Sequence, residues 1–146
     1  MDAAAIIIDT REQVPYAFDS RQVVRLALPA GDYSVVGFES VVAVERKTLE
    51  DFVHSVIRDR ERFKKELAKL ADYLQACIVV EANLPDVLSA RYPSGAHPHS
   101  VFGAAVSICV DHGVPVYFCG DRQAARRFTE EFLERAVMKM KAESNP

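Results

Sequence analysis

Asp32 in "AGDYS", with Glu45 and Lys47 in "VVAVERKTLED", have the types and spacing for phosphodiester chemistry. Two carboxylates supply the hard oxygen ligands that Mg²⁺ or Mn²⁺ takes and leave positions for water and a phosphate oxygen. An ion held this way polarises the phosphate and lowers the pKa of its water. A lysine beside it can position that water or stabilise charge developing on the phosphate. D…ExK is short, however, and a plainer reading stays open: Asp32 as a turn residue after Gly31, and Glu45-Arg46-Lys47 as a solvated strand end. Asp51 also has a second explanation, because Thr48-Leu49-Glu50-Asp51 has the form of a capping box, with Thr48 as N-cap. The two roles are compatible, since a helix starting after Lys47 holds Asp51 near the strand end.

Whether the carboxylates converge depends on the elements that carry them. "AGDYSVVGFESVVAVERK" reads as a hairpin of two β-branched runs around Gly37-Phe38. A two-residue turn there pairs Val36 with Glu39 and sets Asp32 opposite Ala43. Strand alternation then puts Asp32, Ala43, Glu45 and Lys47 on one face. Asp32 and Glu45 become diagonal neighbours, roughly 7–8 Å apart between backbones, close enough to share a cation. A one-residue slip would move Asp32 to the other face. Val41 to Val44 is apolar on both faces, as in a central strand covered on both sides.

Around the hairpin, residues 4–8, 22–28, 77–82 and 114–119 read as further strands. Leu49, Phe52, Val53, Val56 and Ile57 make one helical stripe, and Phe63, Leu67, Leu70 and Leu74 a second. Residues 85–88 suggest a short helix, and 121–141 a long closing one. Residues 101–110 are apolar nearly all round and predict a deeply buried helix. The alternation predicts an α/β domain with a central mixed sheet flanked by helices, and the 146-residue length fits a single domain over 1–146. Hydrophobic residues at 49% and charged residues at 27% suit a globular chain. No signal peptide is visible, and no apolar run reaches the ~18 residues of a membrane span. Cys77, Cys109 and Cys119 lie in apolar stretches and read as reduced core residues of an intracellular protein. A net charge of -3 gives no global sign of nucleic-acid binding, so any such binding must rest on a local patch.

"GDY" followed by "VERKTLED" resembles the G-D-x(n)-E-R-K-x3-D signature of the XPF-type structure-specific endonucleases, a family that includes archaeal and eukaryotic flap and fork nucleases. Every signature position is matched: Gly31, Asp32, Glu45, Arg46, Lys47 and Asp51. "IIIDTRE" is similar to the family's opening D-x-R-E strand and loop, "SVIRDRERFKKEL" to its basic helix, and "FGAAVSICVDHGVPVYFCGD" to its closing helix–strand segment. The resemblance implies a restriction-endonuclease-like core, with Mg²⁺ or Mn²⁺ held at Asp32 and Glu45. It implies Lys47 as catalytic lysine and Asp9, Arg11 and Glu12 lining the site. Arg46 and Asp51 match motif positions that serve either orientation of the site or structural capping. Family members usually carry a tandem helix-hairpin-helix domain and often a helicase. Neither pattern occurs in 1–146, so a separate DNA-targeting or helicase partner is expected.

The activity implied is metal-dependent cutting of branched DNA, at single/double-strand junctions such as flaps and forks, in DNA repair or recombination. The cellular site would be cytoplasm or nucleoid in a prokaryote and nucleus in a eukaryote. Two other readings stand beside it: a catalytically silent DNA-binding or dimer-scaffold subunit, and a nuclease of the same broad fold acting on other DNA. Residues 58–69 carry six cationic and three anionic side chains. Arg58, Arg60, Arg62, Lys64 and Lys65 are therefore candidate phosphate contacts. The alternative is a solvated helix surface laced with pairs such as Arg62–Glu66. His97 and His99 read as solvated loop residues, Tyr92 as loop packing, and His54 is given no role. The apolar surface of 101–110 and 121–141 predicts a homodimer through those helices, as the resemblance also implies.

Overall fold

A computed structural model describes residues 4–144. Its centre is a six-stranded mixed sheet in the order β2-β1-β3-β4-β5-β6. The strands are β1 (Ile6–Asp9), β2 (Val23–Leu26), β3 (Tyr33–Val35), β4 (Val42–Lys47), β5 (Gln75–Val80) and β6 (Val116–Phe118). β3 runs antiparallel to both β1 and β4, while β1–β2, β4–β5 and β5–β6 are parallel. The helices are α1 (Leu49–Ile57), α2 (Arg60–Ala71), α3 (Leu84–Leu88), α4 (Pro98–Asp111) and α5 (Arg122–Ser144).

Strand alternation sorts the core into two layers. Ala43, Ile78 and Val80 meet the helices α1, α2 and α4 on one side. Val42, Val44, Cys77 and Val79 meet α5 on the other, with Tyr16 and Phe18 of the loop after β1. Both faces of β4 are covered, as its continuous apolar run predicted. The mixed sheet flanked by helices is the architecture expected from the sequence. Among the described residues, no helix is long and apolar enough to cross a membrane.

Several local readings need correction. The turn between β3 and β4 is not a two-residue loop, because Phe38 N–H bonds to Val35 O while Val41 and Val42 N–H both bond to Phe38 O. The Ser34 hydroxyl donates to Val42 O at 2.6 Å and helps close this wider connection. The register pairs Tyr33 with Val44, two residues from the predicted pairing. An even shift preserves the faces, so Asp32 stays on the side of Glu45 and Lys47.

The second helix ends at Ala71, where a tight turn follows, and Leu74 lies outside it, 69% exposed. α4 is not deeply buried: only Val101, Ala105 and Ile108 are covered, while Val110 is 74% exposed and Cys109 is also at the surface. The predicted Arg62–Glu66 pair is absent from the ion pairs of α2, where Arg62 reaches Asp59 and Lys69 reaches Glu66.

Candidate active site

β4 changes character where it leaves the core. Its first three residues are fully buried and its last three, Glu45-Arg46-Lys47, form the rim of the sheet. Alternation sends Glu45 and Lys47 to the α1–α2 side and Arg46 to the α5 side.

On the first side lies a cavity of about 370 Å³ lined by Asp9, Arg11, Asp32, Glu45, Lys47 and Asp51, with His54, Asp59, Arg62 and Glu66 around it. Gly31 permits the close approach: its φ is +74°, and an added Cβ would stand 3.1 Å from both the Ala43 Cβ and the Val44 carbonyl. Asp32 is then fixed by its backbone, with its N–H on Val44 O and its C=O accepting from Asp9 N–H, both at 2.8 Å. Its Oδ2 accepts from the Arg46 amide at 2.7 Å.

Burial, and next the charge of Glu45, push the Asp32 carboxyl well above the usual carboxylate range. Burial likewise raises Glu45, against the opposing pull of Lys47. The Lys47 ammonium lies 3.5 Å from Glu45 Oε2 and 5.2 Å from the Phe63 ring centre. Two adjacent half-buried carboxylates that resist ionising together form a donor set that a hard divalent cation would relieve, and it is the set Mg²⁺ or Mn²⁺ prefers. Among the described residues no three His, Cys, Asp or Glu side chains are grouped to enclose an ion. A cation at Asp32 and Glu45 would therefore draw its remaining ligands from water or phosphate.

Asp9 is differently occupied. Burial raises its carboxyl, but hydrogen bonds from the Arg11 side chain and the Leu28 and Arg11 amides outweigh this and hold it below the usual range. Arg11 Nε bonds Asp9 Oδ2 at 2.8 Å and Leu28 N–H bonds Oδ1 at 2.8 Å. Asp9 thus ties the loop after β1 to the cavity wall and presents Arg11, whose side chain is 73% exposed. At the start of α1 the Asp51 amide donates to Thr48 Oγ1 at 3.1 Å. The cap is supplied by the Thr48 hydroxyl, and the Asp51 carboxylate is free to face the cavity.

Glu12 and Arg46 do not line this cavity. They meet behind it, on the α5 side, in a group the sequence reading did not anticipate. Arg46 Nε donates to Glu81 Oε2 at 2.9 Å and Nη1 to Glu12 Oε1 at 3.3 Å. The Arg46 guanidinium sits 5.4 Å from the Tyr16 ring centre, and Arg122 lies over the same ring at 4.8 Å. The Tyr16 hydroxyl donates to Glu81 Oε2 at 2.6 Å. Burial and then Glu81 raise the Tyr16 phenol far above its ordinary pKa. Arg122 joins Glu81 at 3.7 Å and donates to the Val14 and Pro15 carbonyls, pinning the loop after β1. Glu81 had a signal of its own: "CIVVEA" is a second apolar strand stretch running into charge, as "VVAVERK" is. His54 had one too, three residues after Asp51 on the same helix face.

The basic residues divide around the corner between α1 and α2. Arg62 faces the acidic cavity, Arg58 a groove beside it, and Arg60 and Lys64 a second groove against α4, while Lys65 is exposed. His97 caps α4, its Nδ1 accepting from His99 N–H, and Tyr92 donates to Ala96 O at 2.8 Å.

A protein of Methanocaldococcus jannaschii named as an ATP-dependent RNA helicase is 29% identical over 138 residues, which are 93% of this chain and 16% of that protein. XPF from Aeropyrum pernix is similar in structure, with a TM-score of 0.72 at 22% identity, over 96% of this chain and 68% of that one. The same protein in complex with DNA gives a TM-score of 0.71 at 25% identity, over 94% of this chain and 66% of that one. This chain thus spans a small part of the helicase-named relative and about two thirds of the solved chains. The family model described as the ERCC4 domain matches residues 8–132, a span that contains the acidic cavity and the Arg46 group behind it, and the chain belongs to the ERCC4-domain family with the fold of the XPF nuclease.

Proposed function

We propose that this chain is a divalent-metal-dependent endonuclease domain that hydrolyses DNA phosphodiester bonds at flaps, forks or similar junctions. The observation that carries the reading is the half-buried Asp32–Glu45 pair with Lys47 beside it, in an open cavity at the sheet rim. Asp32 and Glu45 would hold Mg²⁺ or Mn²⁺, which when bound supplies Lewis acidity to a phosphate oxygen and a water of lowered pKa. Lys47 sets a fixed positive charge where negative charge accumulates on the phosphate, and Phe63 limits its freedom to swing away. Arg11 and Arg62 stand at the same cavity and would meet flanking phosphates. The test is nicking of a panel of flap, fork, nicked and plain duplex DNA with Mg²⁺, Mn²⁺ or EDTA. Cleavage restricted to branched substrates and abolished by EDTA is expected; metal-independent cutting, or no cutting of any substrate, removes the reading.

Substrate capture is assigned to Arg58, Arg60, Arg62, Lys64 and Lys65 around the α1–α2 corner, with the duplex phosphates falling to the four of them on α2. Arg60→Glu with Lys64→Glu is expected to weaken every branched substrate alike, because phosphate contacts carry no sequence information. Wild-type binding should fall steeply with salt, with a log–log slope of about -0.9 per phosphate neutralised on duplex. Unchanged binding in the double variant returns α2 to a solvated surface. The Aeropyrum pernix structure with DNA supports a DNA substrate, and the helicase-named relative supports a helicase as partner activity.

Homodimerisation is proposed through α4 and α5. Val106 and Val110 on α4, Met138 on α5 and Tyr117 on the edge strand β6 are exposed, and Tyr117 contacts Phe128 of α5 at 4.6 Å. α5 spends Leu133, Ala136 and Val137 on the sheet, so α4 contributes the larger free apolar face. Sedimentation at tens of micromolar should give twice the chain mass, reverting toward one in Val106→Glu/Val110→Glu. A wild-type monomer overturns the assignment.

A further inference from the structure

Beside the acidic cavity opens a second, larger groove of about 680 Å³, and the two share Asp51 and His54. One wall is α1 and the other is the 91–97 loop, through Tyr92, Pro93, Ser94, Gly95 and Ala96. Asp51, His54 and Arg58 follow one another at i, i+3 and i+7, a single stripe along α1. At ~1.5 Å per residue, Arg58 lies roughly 10 Å along the axis from Asp51. Phosphates repeat every ~3.4 Å of axial rise along one strand of a duplex. Arg58 therefore stands about three axial phosphate repeats further along α1 than Asp51, which lines both the groove and the acidic cavity.

Charge is unevenly spread along the groove. Its carboxylates, Glu50 and Asp51, lie at the start of α1, and its one guanidinium, Arg58, lies at the far end. The loop wall is closed by its own bonds, Tyr92 Oη to Ala96 O at 2.8 Å and Ala96 N–H to Ser94 Oγ at 3.3 Å. At Gly95 an added Cβ would meet nothing within 4 Å, so this stretch of wall is bare backbone facing free space. The volume falls in the ~300–1,000 Å³ range that encloses a compact organic ligand. A duplex, whose major groove alone is ~12 Å wide, does not enter it.

We infer that this groove is the track of a single strand of nucleic acid, taking the nucleotides next to the one cut. His54 and Arg58 hold successive phosphates, and the bases lie along the 93–96 wall. The inference rests on the nuclease reading above and adds a path for one strand that the cluster on α2 does not provide.

The experiment is fluorescence anisotropy of the whole chain with a labelled six-nucleotide oligodeoxythymidine in EDTA, where nothing is cut, compared with a blunt hairpin duplex. Arg58→Glu reverses the far charge, and Gly95→Glu adds a carboxylate to the bare wall without displacing neighbours. Each is expected to weaken oligomer binding at least about tenfold and the hairpin less than about twofold, with unchanged melting temperature. Oligomer affinity within twofold of wild type in both variants, or equal losses on the hairpin, overturns the groove. If the wild type cuts no DNA yet binds the oligomer through this groove, the nuclease reading fails and the groove stands. If both variants keep oligomer binding while the wild type cuts flaps, the groove falls and the nuclease reading stands.

Discussion

Glu45→Gln is expected to cut DNA at less than about a thousandth of the wild-type rate, the scale lost when one charge-stabilising group is removed from a catalytic site. The fold should survive, and the metal-free variant should melt higher than wild type at pH 8. Asp32 is raised by its burial and then by the charge of Glu45, and Glu45 is itself raised by burial. A carboxyl whose folded pKa lies above its unfolded value contributes stability below the unfolded pKa and loses it as pH rises through the folded one. As pH rises the wild-type pair is driven toward two ionised, crowded carboxylates, and the amide removes one of them. Lys47 keeps Asp32 as a partner, since it already lowers the Asp32 carboxyl. The melting advantage of the variant should shrink toward pH 4, where the wild-type pair is protonated. Mn²⁺ should raise the wild-type melting temperature, more so at higher pH, and leave the Gln variant unmoved. Lys47→Ala separates the roles: the Mn²⁺ shift is kept because an ammonium is not a ligand, while cutting is lost. Wild-type cutting by Glu45→Gln removes the metal assignment, and with it the reason for β4 to end in charge.

The grouping of Asp32, Glu45 and Lys47 on one face was legible because alternation fixes sides, and sides survive a register error of two residues. What failed was the turn, because the closure by Ser34 and Phe38 depends on a side-chain hydroxyl and carbonyls whose geometry no residue pattern announces. Burial of α4 was misread for a related reason. An apolar sequence states that a surface avoids water without stating whether its cover comes from the same chain, and here the described residues leave Val106 48% and Val110 74% exposed. The Arg46 group stayed hidden because Tyr16, Glu81 and Arg122 are distant in sequence and meet only once the β1 loop, β5 and α5 have packed. Alternation alone, however, implies that Arg46 faces away from Glu45 and Lys47. The triplet therefore serves two sides of the sheet.

That division predicts a different failure for Arg46 than for its neighbours. Glu81 and Glu12 have side chains 8% and 10% exposed, and Arg46 is the cation that reaches both. Removing one member of a buried ion pair costs ~3–5 kcal/mol when the remaining charge is left uncompensated, which here applies to Glu12, while Glu81 keeps Arg122 at 3.7 Å and the Tyr16 hydroxyl. Against a typical folding stability of ~5–15 kcal/mol, Arg46→Ala should melt far below wild type. Arg46→Lys should fall between them, since an ammonium keeps the charge but loses the fork that spans Glu81 and Glu12. Tyr16→Phe should cost ~1–3 kcal/mol through the lost bond to Glu81. Cutting should follow a different order. Asp32 Oδ2 is held by the Arg46 backbone amide, which the Ala and Lys substitutions retain. Below its melting transition, Arg46→Lys should therefore keep most of its cutting rate and its Mn²⁺ shift, unlike Glu45→Gln. Denaturant unfolding, with nicking rates taken well below each midpoint, measures both quantities. If Arg46→Lys is as stable as wild type and cuts no DNA, the guanidinium acts on the substrate and the far-side group is not its purpose.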